Sequence, residues 1–267
     1  MKLKLLAAVA VAALATPAVG QSDQYFQTCA HGSGELQIAA CSWMIKNGKQ
    51  KDADLAVSFV NRGVAYQTQG KFPNAAFDYT QATTLLPAYG LAWVNMGSLY
   101  DADGQPDRAI TFYDKAVERQ PGFALGWFAR GKAHVELHQP EQAIADYDAY
   151  MKLVPNDPEA FNNRGGAHLA LGQLEAALAD FNQALVLNPV YPEAKLNRGL
   201  VSLRLSRYGD AIADETAVLG LSPKFAAALY IRGLAKQKIG DNSGAADIDA
   251  AKAIDPKIEA IIPSSGV

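Results

Sequence analysis

The 267-residue sequence predicts an all-α solenoid of six tandem helix-turn-helix repeats, each 34 residues long. Two observations carry this prediction: glycine, alanine and proline recur at one interval, and large apolar residues recur in phase with them. A single pair of helices leaves one apolar face uncovered, and only the next pair can bury it. The repeats are therefore expected to stack.

The first element is a predicted signal peptide at residues 1–20. Lys2 and Lys4 precede an uncharged apolar run over 5–14, and small residues follow it. We expect cleavage before Gln21. The apolar run is shorter than the roughly 20 residues that span a bilayer, so no membrane anchor is expected after cleavage. This pattern predicts a periplasmic or secreted protein.

The predicted mature chain is mildly acidic. Cleavage leaves 22 basic and 27 acidic residues, a formal charge of −5, and no basic block. This composition argues against a nucleic acid as the partner.

The second element is an N-terminal helical hairpin at 21–55 that contains both cysteines. On one continuous helix Cys29 and Cys41 would lie roughly 18 Å apart, whereas a disulfide needs Cα atoms within about 7 Å. An exported chain favours a disulfide, which requires the chain to fold back at Gly32 and Gly34. We therefore predict two short antiparallel helices, 23–29 and 36–45, that cap the first repeat.

The third element is the repeat array itself. The sixth proline comes one residue early, so one residue has been lost inside the last repeat, and we place the loss just after Ala245. The three series are Gly63, Gly97, Gly131, Gly165, Gly199 and Gly233; Ala75, Ala109, Ala143, Ala177, Ala211 and Ala245; and Pro87, Pro121, Pro155, Pro189, Pro223 and Pro256.

Repeat two shows the complete pattern: Trp93, Met96, Gly97, Tyr100, Ala109, Tyr113 and Pro121. This pattern resembles that of the tetratricopeptide repeat family, and the resemblance covers residues 56–256. It implies a right-handed superhelical solenoid whose repeats span 56–89, 90–123, 124–157, 158–191, 192–225 and 226–256. It also implies a non-enzymatic scaffold for protein partners. Residues 257–267 follow as a C-terminal cap and tail, with Ile258, Ile261 and Ile262 covering the last apolar face.

An arginine before the repeat glycine and an aspartate in the second helix recur together in five repeats. In repeat two both are replaced, by Met96 and Phe112. We infer that the two positions are in contact. The alternative is an arginine ladder that binds an acidic ligand. The pairs are Arg62 and Asp78, Arg130 and Asp146, Arg164 and Asp180, Arg198 and Asp214, and Arg232 and Asp247.

The candidate site is the concave groove that the resemblance implies along the first helices. Many groove positions are apolar, and an exposed apolar patch often marks a binding surface. The alternative is that neighbouring repeats cover these residues. The predicted groove residues are Val57, Val60, Val64, Leu91, Val94, Leu125, Phe128, Val135, Leu169, Leu196, Leu200, Leu203, Tyr230 and Leu234.

The sequence contains no motif that predicts catalysis, a cofactor or a metal site. His134 and His138 have zinc-ligand spacing, but His138 takes the position of a turn glycine and His134 that of a packing aromatic. We interpret both as structural. Repeat five departs from the others at Lys195, Ser202 and Glu215. This departure predicts either a hinge or a decayed repeat.

These observations predict an adaptor in the cell envelope that binds a protein or peptide segment in the groove. Two alternatives stay open. The protein self-associates as a structural component, or it carries a lipid or another apolar small molecule.

Overall fold

The computed structural model describes residues 21–47 and 50–262, so the predicted signal peptide lies outside the described residues. Over this part of the chain the regular structure consists of fifteen α-helices, without strands. The described residues divide into two compact units, one up to Pro87 and one from Ala88.

The first unit contains the N-terminal hairpin and repeat one. Cys29 and Cys41 form the predicted disulfide, with their Cα atoms 4.7 Å apart. Next to it, the rings of Tyr25 and Trp43 stack with centroids 4.3 Å apart. The second helix of the hairpin packs on the first helix of repeat one. The helices are α1 (Gln21–His31), α2 (Gly34–Asn47), α3 (Asp52–Thr68) and α4 (Phe72–Leu85).

The second unit contains repeats two to six. Within it, each first helix pairs with the second helix of its own repeat, and that second helix packs on the next first helix. The helices are α5 (Gly90–Ala102), α6 (Pro106–Arg119), α7 (Ala124–Glu136), α8 (Pro140–Leu153), α9 (Pro158–Ala170), α10 (Leu174–Leu187), α11 (Pro192–Arg204), α12 (Tyr208–Leu221), α13 (Ala226–Lys238), α14 (Gly244–Ile254) and α15 (Ile258–Ile261).

The repeat glycine lets the two helices of a hairpin approach closely. A Cβ atom on Gly165 would lie 2.8 Å from the ring of Phe181, and one on Gly131 would lie 3.0 Å from the ring of Tyr147. No real side chain tolerates the first of these contacts without movement of the ring. The glycine and the aromatic residue of the second helix are therefore a matched pair.

The turns inside the repeats require a left-handed residue. At Gly104 φ is 69°, and His138 and Ser206 adopt the same conformation with φ of 55° and 59°. His138 donates its backbone N–H to Val135, and Gln139 donates to His134, as in the helix-ending turn that glycine usually forms. The two side chains are thus held in a conformation that glycine adopts without strain.

We expect His138→Gly to raise the free energy of unfolding by about 0.5–1 kcal/mol. The strain of a left-handed non-glycine residue, about 1–2 kcal/mol, is partly offset by the greater freedom of glycine in the unfolded chain. Urea denaturation of the protein measures the change. His138→Ala is the control, because it keeps the Cβ atom; equal stability of the two variants would contradict the strain argument.

In the structure, the residue lost from repeat six is missing at a different position from the one predicted. Ala245 is exposed, and Gly244 takes the buried place that the alanine has in the other repeats. The loss therefore lies in the turn before Gly244, and our position after Ala245 was wrong. The helices approach closely at Gly244, where a Cβ would lie 3.0 Å from the backbone nitrogen of Gln237, and glycine avoids this contact.

A short helix, α15, covers α13, the first helix of repeat six. Ile258 and Ile262 are buried in one cluster with residues of α13, whereas Ile261 is exposed. Two of the three isoleucines expected to cover this face do so.

Candidate functional site

The first helices of repeats three to five, together with Tyr147 of α8, line a cavity of about 310 Å³ in the second unit. Its lining combines apolar, amide and charged side chains: Lys132, Val135, Glu136, Tyr147, Asn162, Asn163, Gly166 and Asn197. Such a mixture suits a polypeptide, which presents both backbone amides and apolar side chains.

Small and polar residues in repeat four make room for this cavity. Asn162 takes the position of Phe128 and Leu196 in the adjacent repeats, and Gly166 takes that of Leu200. A Cβ atom on Gly166 would meet nothing within 4 Å. The cavity is therefore open at the positions where repeat four has smaller side chains than repeat five.

Three asparagines form a chain of side-chain hydrogen bonds along the cavity. Asn197 donates Nδ2 to Oδ1 of Asn162 at 3.0 Å, and Asn162 donates Nδ2 to Oδ1 of Asn163 at 3.4 Å. The first of these bonds joins α11 to α9 of the neighbouring repeat, and the second lies within α9. The amides therefore bond to each other across the stack, and the cavity wall presents their remaining donors and acceptors.

The rim and floor of the cavity differ in charge. Lys132 and Glu136 are exposed and lie one turn apart on α7. Tyr147 is buried, and burial raises the pKa of its phenol, so the side chain stays neutral. A partner segment would meet paired opposite charges at the rim and an uncharged floor.

The predicted groove residues separate into three groups by burial. Val64, Leu125 and Val135 are exposed; Val57, Leu91, Val94, Phe128, Leu169, Leu196 and Leu200 are half-buried; Val60, Leu203, Tyr230 and Leu234 are buried. Only Val135 of this set lines the cavity.

The four buried residues are not available to a partner, which corrects our expectation for them. In repeats five and six, Leu203, Tyr230 and Leu234 belong to one core cluster, and Leu196 and Leu200 pack against it. Neighbouring side chains cover this part of the predicted groove. The exposed residues of the predicted groove lie in repeats one and three.

The arginine and aspartate positions are in contact in all five repeats that contain them, as predicted. Arg164 donates Nε to Oδ2 of Asp180 at 2.8 Å and Nη2 to Oδ1 at 2.6 Å. In repeat two, Phe112 instead stacks on Tyr100 with ring centroids 5.1 Å apart. The other pairs have the same two-bond geometry: Arg62 and Asp78, Arg130 and Asp146, Arg198 and Asp214, and Arg232 and Asp247.

Two arginines also bind a carboxylate of the preceding repeat. Arg130 donates Nη1 to Asp114 at 2.7 Å, and Arg164 donates Nη1 to Asp148. The bond to Asp180, followed by the one to Asp148, raises the pKa of Arg164. A guanidinium held by two carboxylates is not free to bind an acidic ligand, so the geometry does not favour the arginine-ladder alternative.

The two histidines with zinc-ligand spacing have different surroundings. Nδ1 of His134 lies 2.7 Å from Oε1 of Gln139, and its Nε2 lies 3.7 Å from Asp146. His138 is exposed in the turn. Across residues 21–47 and 50–262, no three potential His, Cys, Asp or Glu ligands are grouped as a metal site would need.

None of the described helices is both long and apolar enough to cross a membrane.

The fold and the cavity define a helical-repeat protein with an open surface along its first helices. The family model for the tetratricopeptide repeat matches residues 60–122, 128–192 and 167–225. The chain therefore belongs to the tetratricopeptide repeat family and has the all-α solenoid fold that the sequence predicted. Members of this family generally act as scaffolds for protein–protein interaction.

Solved structures of this fold have low sequence identity to the chain. YrrB, described as a tetratricopeptide repeat protein with an unusual peptide-binding site, has a TM-score of 0.62 and 22% identity over 72% of this chain and 100% of its own. PilF of Pseudomonas aeruginosa has a TM-score of 0.64 and 18% identity over 80% and 95%. A repeat protein of Parabacteroides merdae has a TM-score of 0.61 and 19% identity over 91% and 98%.

No curated protein matches the chain in sequence.

Sequence reasoning missed Gly166, Asn162 and Lys132 as residues of the cavity. The prediction was based on large apolar side chains, whereas this cavity exists because repeat four has small side chains where adjacent repeats have large ones. A signal was available, because Leu169 was the single apolar residue at the groove positions of repeat four.

Proposed function

We propose that the protein is an adaptor that binds an extended segment of a partner polypeptide in the cavity of repeats three to five. The observation that supports this proposal is that Asn163, Asn197 and Val135 together line an open space of about 310 Å³. Amide side chains bond to a peptide backbone, and the apolar wall receives a side chain of the segment. The peptide-binding site described for YrrB is consistent with this proposal.

The mixed lining favours a polypeptide over a lipid. Lys132 and Glu136 at the rim and the asparagines on the wall would lose hydrogen bonds to water against an acyl chain. A peptide backbone replaces those bonds.

Crosslinking with a matched control tests where the partner binds. A photoreactive amino acid replaces Val135, which is 43% exposed and lines the cavity, or Leu153, which is 44% exposed and does not. In extract of the source cells, Val135 is expected to capture a protein that Leu153 does not. Equal capture from both positions, or capture from Leu153 alone, would contradict groove binding.

We expect Gly166→Leu to abolish this capture without loss of stability. Leucine already occupies the equivalent positions Leu200 and Leu234, and open space surrounds Gly166. Replacing a glycine inside a helix stabilises it by up to about 1 kcal/mol. The measurement is capture from Val135 together with the melting temperature. Unchanged capture in a folded variant would exclude the cavity as the binding site.

We also propose that the protein acts in the cell envelope. The predicted signal peptide supports export, and the disulfide between Cys29 and Cys41 supports an oxidising compartment. Mass spectrometry of the protein from an envelope fraction tests this: the expected first residue is Gln21, and a reduced chain that starts at Met1 would contradict it.

Self-association is the second candidate function. Val186, Val190 and Leu221 are exposed apolar residues at the ends of the second helices of repeats four and five, away from the cavity. Sedimentation velocity separates the two functions, because self-association gives a mass that rises with protein concentration.

A further inference from the structure

A second cavity, of about 300 Å³, lies between α10, α11 and α12 of the second unit and shares no lining residue with the first. Ser202 of α11, Asp214 of α12 and Arg207 between these helices lie on its wall. Ser202 is 1% exposed, and its hydroxyl oxygen has no hydrogen-bond partner among the described residues. A buried hydroxyl of this kind costs stability unless a partner reaches it.

The other repeats show which chemical group fits at this position. The equivalents of Ser202 in repeats three and four are His134 and His168. Nε2 of His134 lies 3.7 Å from Oδ2 of Asp146, and Nε2 of His168 lies 3.8 Å from Oδ2 of Asp180. Each imidazole thus lies beside the aspartate that pairs with the repeat arginine. Ser202 lacks the ring, whereas Asp214 keeps its arginine pair.

The residue five positions further on changes together with the histidine. In repeats three and four it is a glutamine, whose Oε1 lies 2.7 Å from Nδ1 of His134 and 2.6 Å from Nδ1 of His168. In repeat five it is Arg207. The cavity therefore presents two carboxylate acceptors, Asp210 and Asp214, and a charged donor, Arg207.

A neutral imidazole complements Asp214 and Arg207. Its N–H donates to the carboxylate of Asp214, and its second nitrogen accepts from Arg207. Arg198 is already bonded to Asp214 and Asn182, so it does not compete for the ring. An ammonium group could donate to Asp210 and Asp214, but unlike imidazole it has no acceptor for the N–H groups of Arg207.

We propose that this cavity is a binding site for an imidazole ring, which takes the place of the histidine that repeat five lacks. The ring belongs either to a small molecule or to a histidine side chain of a partner. The site is independent of the groove function.

Titration of the mature protein with imidazole at pH 8, followed by amide NMR shifts, tests the proposal. Wild type is expected to show saturable shifts around Ser202, Arg207 and Asp214, with a dissociation constant on the order of 1 mM for so small a ligand. Ser202→His fills the cavity from within and is expected to lose these shifts. Shifts that persist unchanged in folded Ser202→His, or no saturation in wild type up to about 100 mM, would overturn the proposal.

A second variant keeps the test decisive if Ser202→His fails to fold. His168→Ser recreates the same arrangement in repeat four, where Gln173 replaces Arg207 as the neighbour. It is expected to gain a second set of saturable shifts around Asp180. Absence of this gain in folded protein would contradict the fit of imidazole to the histidine position.

The two sources of the ring are separated by a histidine whose amino and carboxyl groups are capped. Saturable binding of capped histidine supports a side chain of a partner. Binding of free imidazole alone supports a small molecule.

Discussion

Glu215→Phe is expected to stabilise the protein at pH 8 by about 3 kcal/mol and to raise its melting temperature by roughly 6–12 °C. Glu215 is completely buried, and neither carboxyl oxygen has a hydrogen-bond partner among the described residues. It lies over Gly199, as Phe181 lies over Gly165 in repeat four. Phenylalanine removes the unpaired polar group and restores the aromatic contact for which the glycine leaves space.

The gain in stability from Glu215→Phe should depend on pH. Burial, followed by the charge of Asp214, raises the pKa of Glu215 to about 9, while Arg232 lowers it. The folded protein therefore holds a proton that the unfolded chain releases near pH 4.5. The contribution of Glu215 to stability is complete below that pH and is lost as the pH rises towards 9, by up to about 1.4 kcal/mol per unit.

Urea denaturation at several pH values between 5 and 9 measures this slope. Glu215→Gln is the control, because it keeps the shape and polarity but does not titrate. Its stability should lose the slope yet stay below that of Glu215→Phe. Parallel pH profiles for wild type and both variants would contradict the assignment of the slope to Glu215.

Asp180→Ala is expected to lower the free energy of unfolding by about 3 kcal/mol or more. The side chain of Asp180 is 6% exposed, and its removal leaves the half-buried Arg164 with the more exposed Asp148 as its remaining carboxylate partner. Removal of one partner of a buried ion pair costs about 3–5 kcal/mol. The measurement is chemical denaturation, and a melting shift under about 2 °C would contradict the buried contact.

Two comparisons separate the ion pair from other effects of this substitution. Glu259→Ala breaks the exposed pair with Lys252 and is expected to cost less than about 1 kcal/mol. The double change of Arg164→Met and Asp180→Phe introduces the apolar pair of repeat two and is expected to recover most of the lost stability. Failure of the double variant to recover would show that Asp148 and His168 need the ion pair.

Much of the fold followed from the sequence because each repeat has the same local requirements. The period located the helices, and the joint change at Met96 and Phe112 identified contacts between residues 16 positions apart. The separation of Cys29 and Cys41 required a turn. These inferences depend on distances along one or two helices, which helix geometry determines.

The site was less predictable, since burial in a stack depends on how closely each repeat approaches the next. Val135 and Leu203 occupy equivalent positions, yet Val135 is exposed and Leu203 is buried. The pattern of one repeat does not contain this difference. For the same reason, the unusual residues of repeat five predicted a hinge or a decayed repeat, but not that the carboxyl group of Glu215 would be buried without a hydrogen-bond partner among the described residues.

The arginines that bind two repeats at once have a consequence for how the second unit bears tension. Arg130 joins Asp114 of repeat two to Asp146 of repeat three, and Arg164 joins Asp148 to Asp180 in the same way. A force on one repeat is therefore transmitted to its neighbour through arginine–aspartate pairs as well as through apolar packing. At Arg198 the corresponding bond goes to the neutral Asn182. Under mechanical load, the junction between repeats four and five therefore resists separation with weaker charge than the two junctions before it.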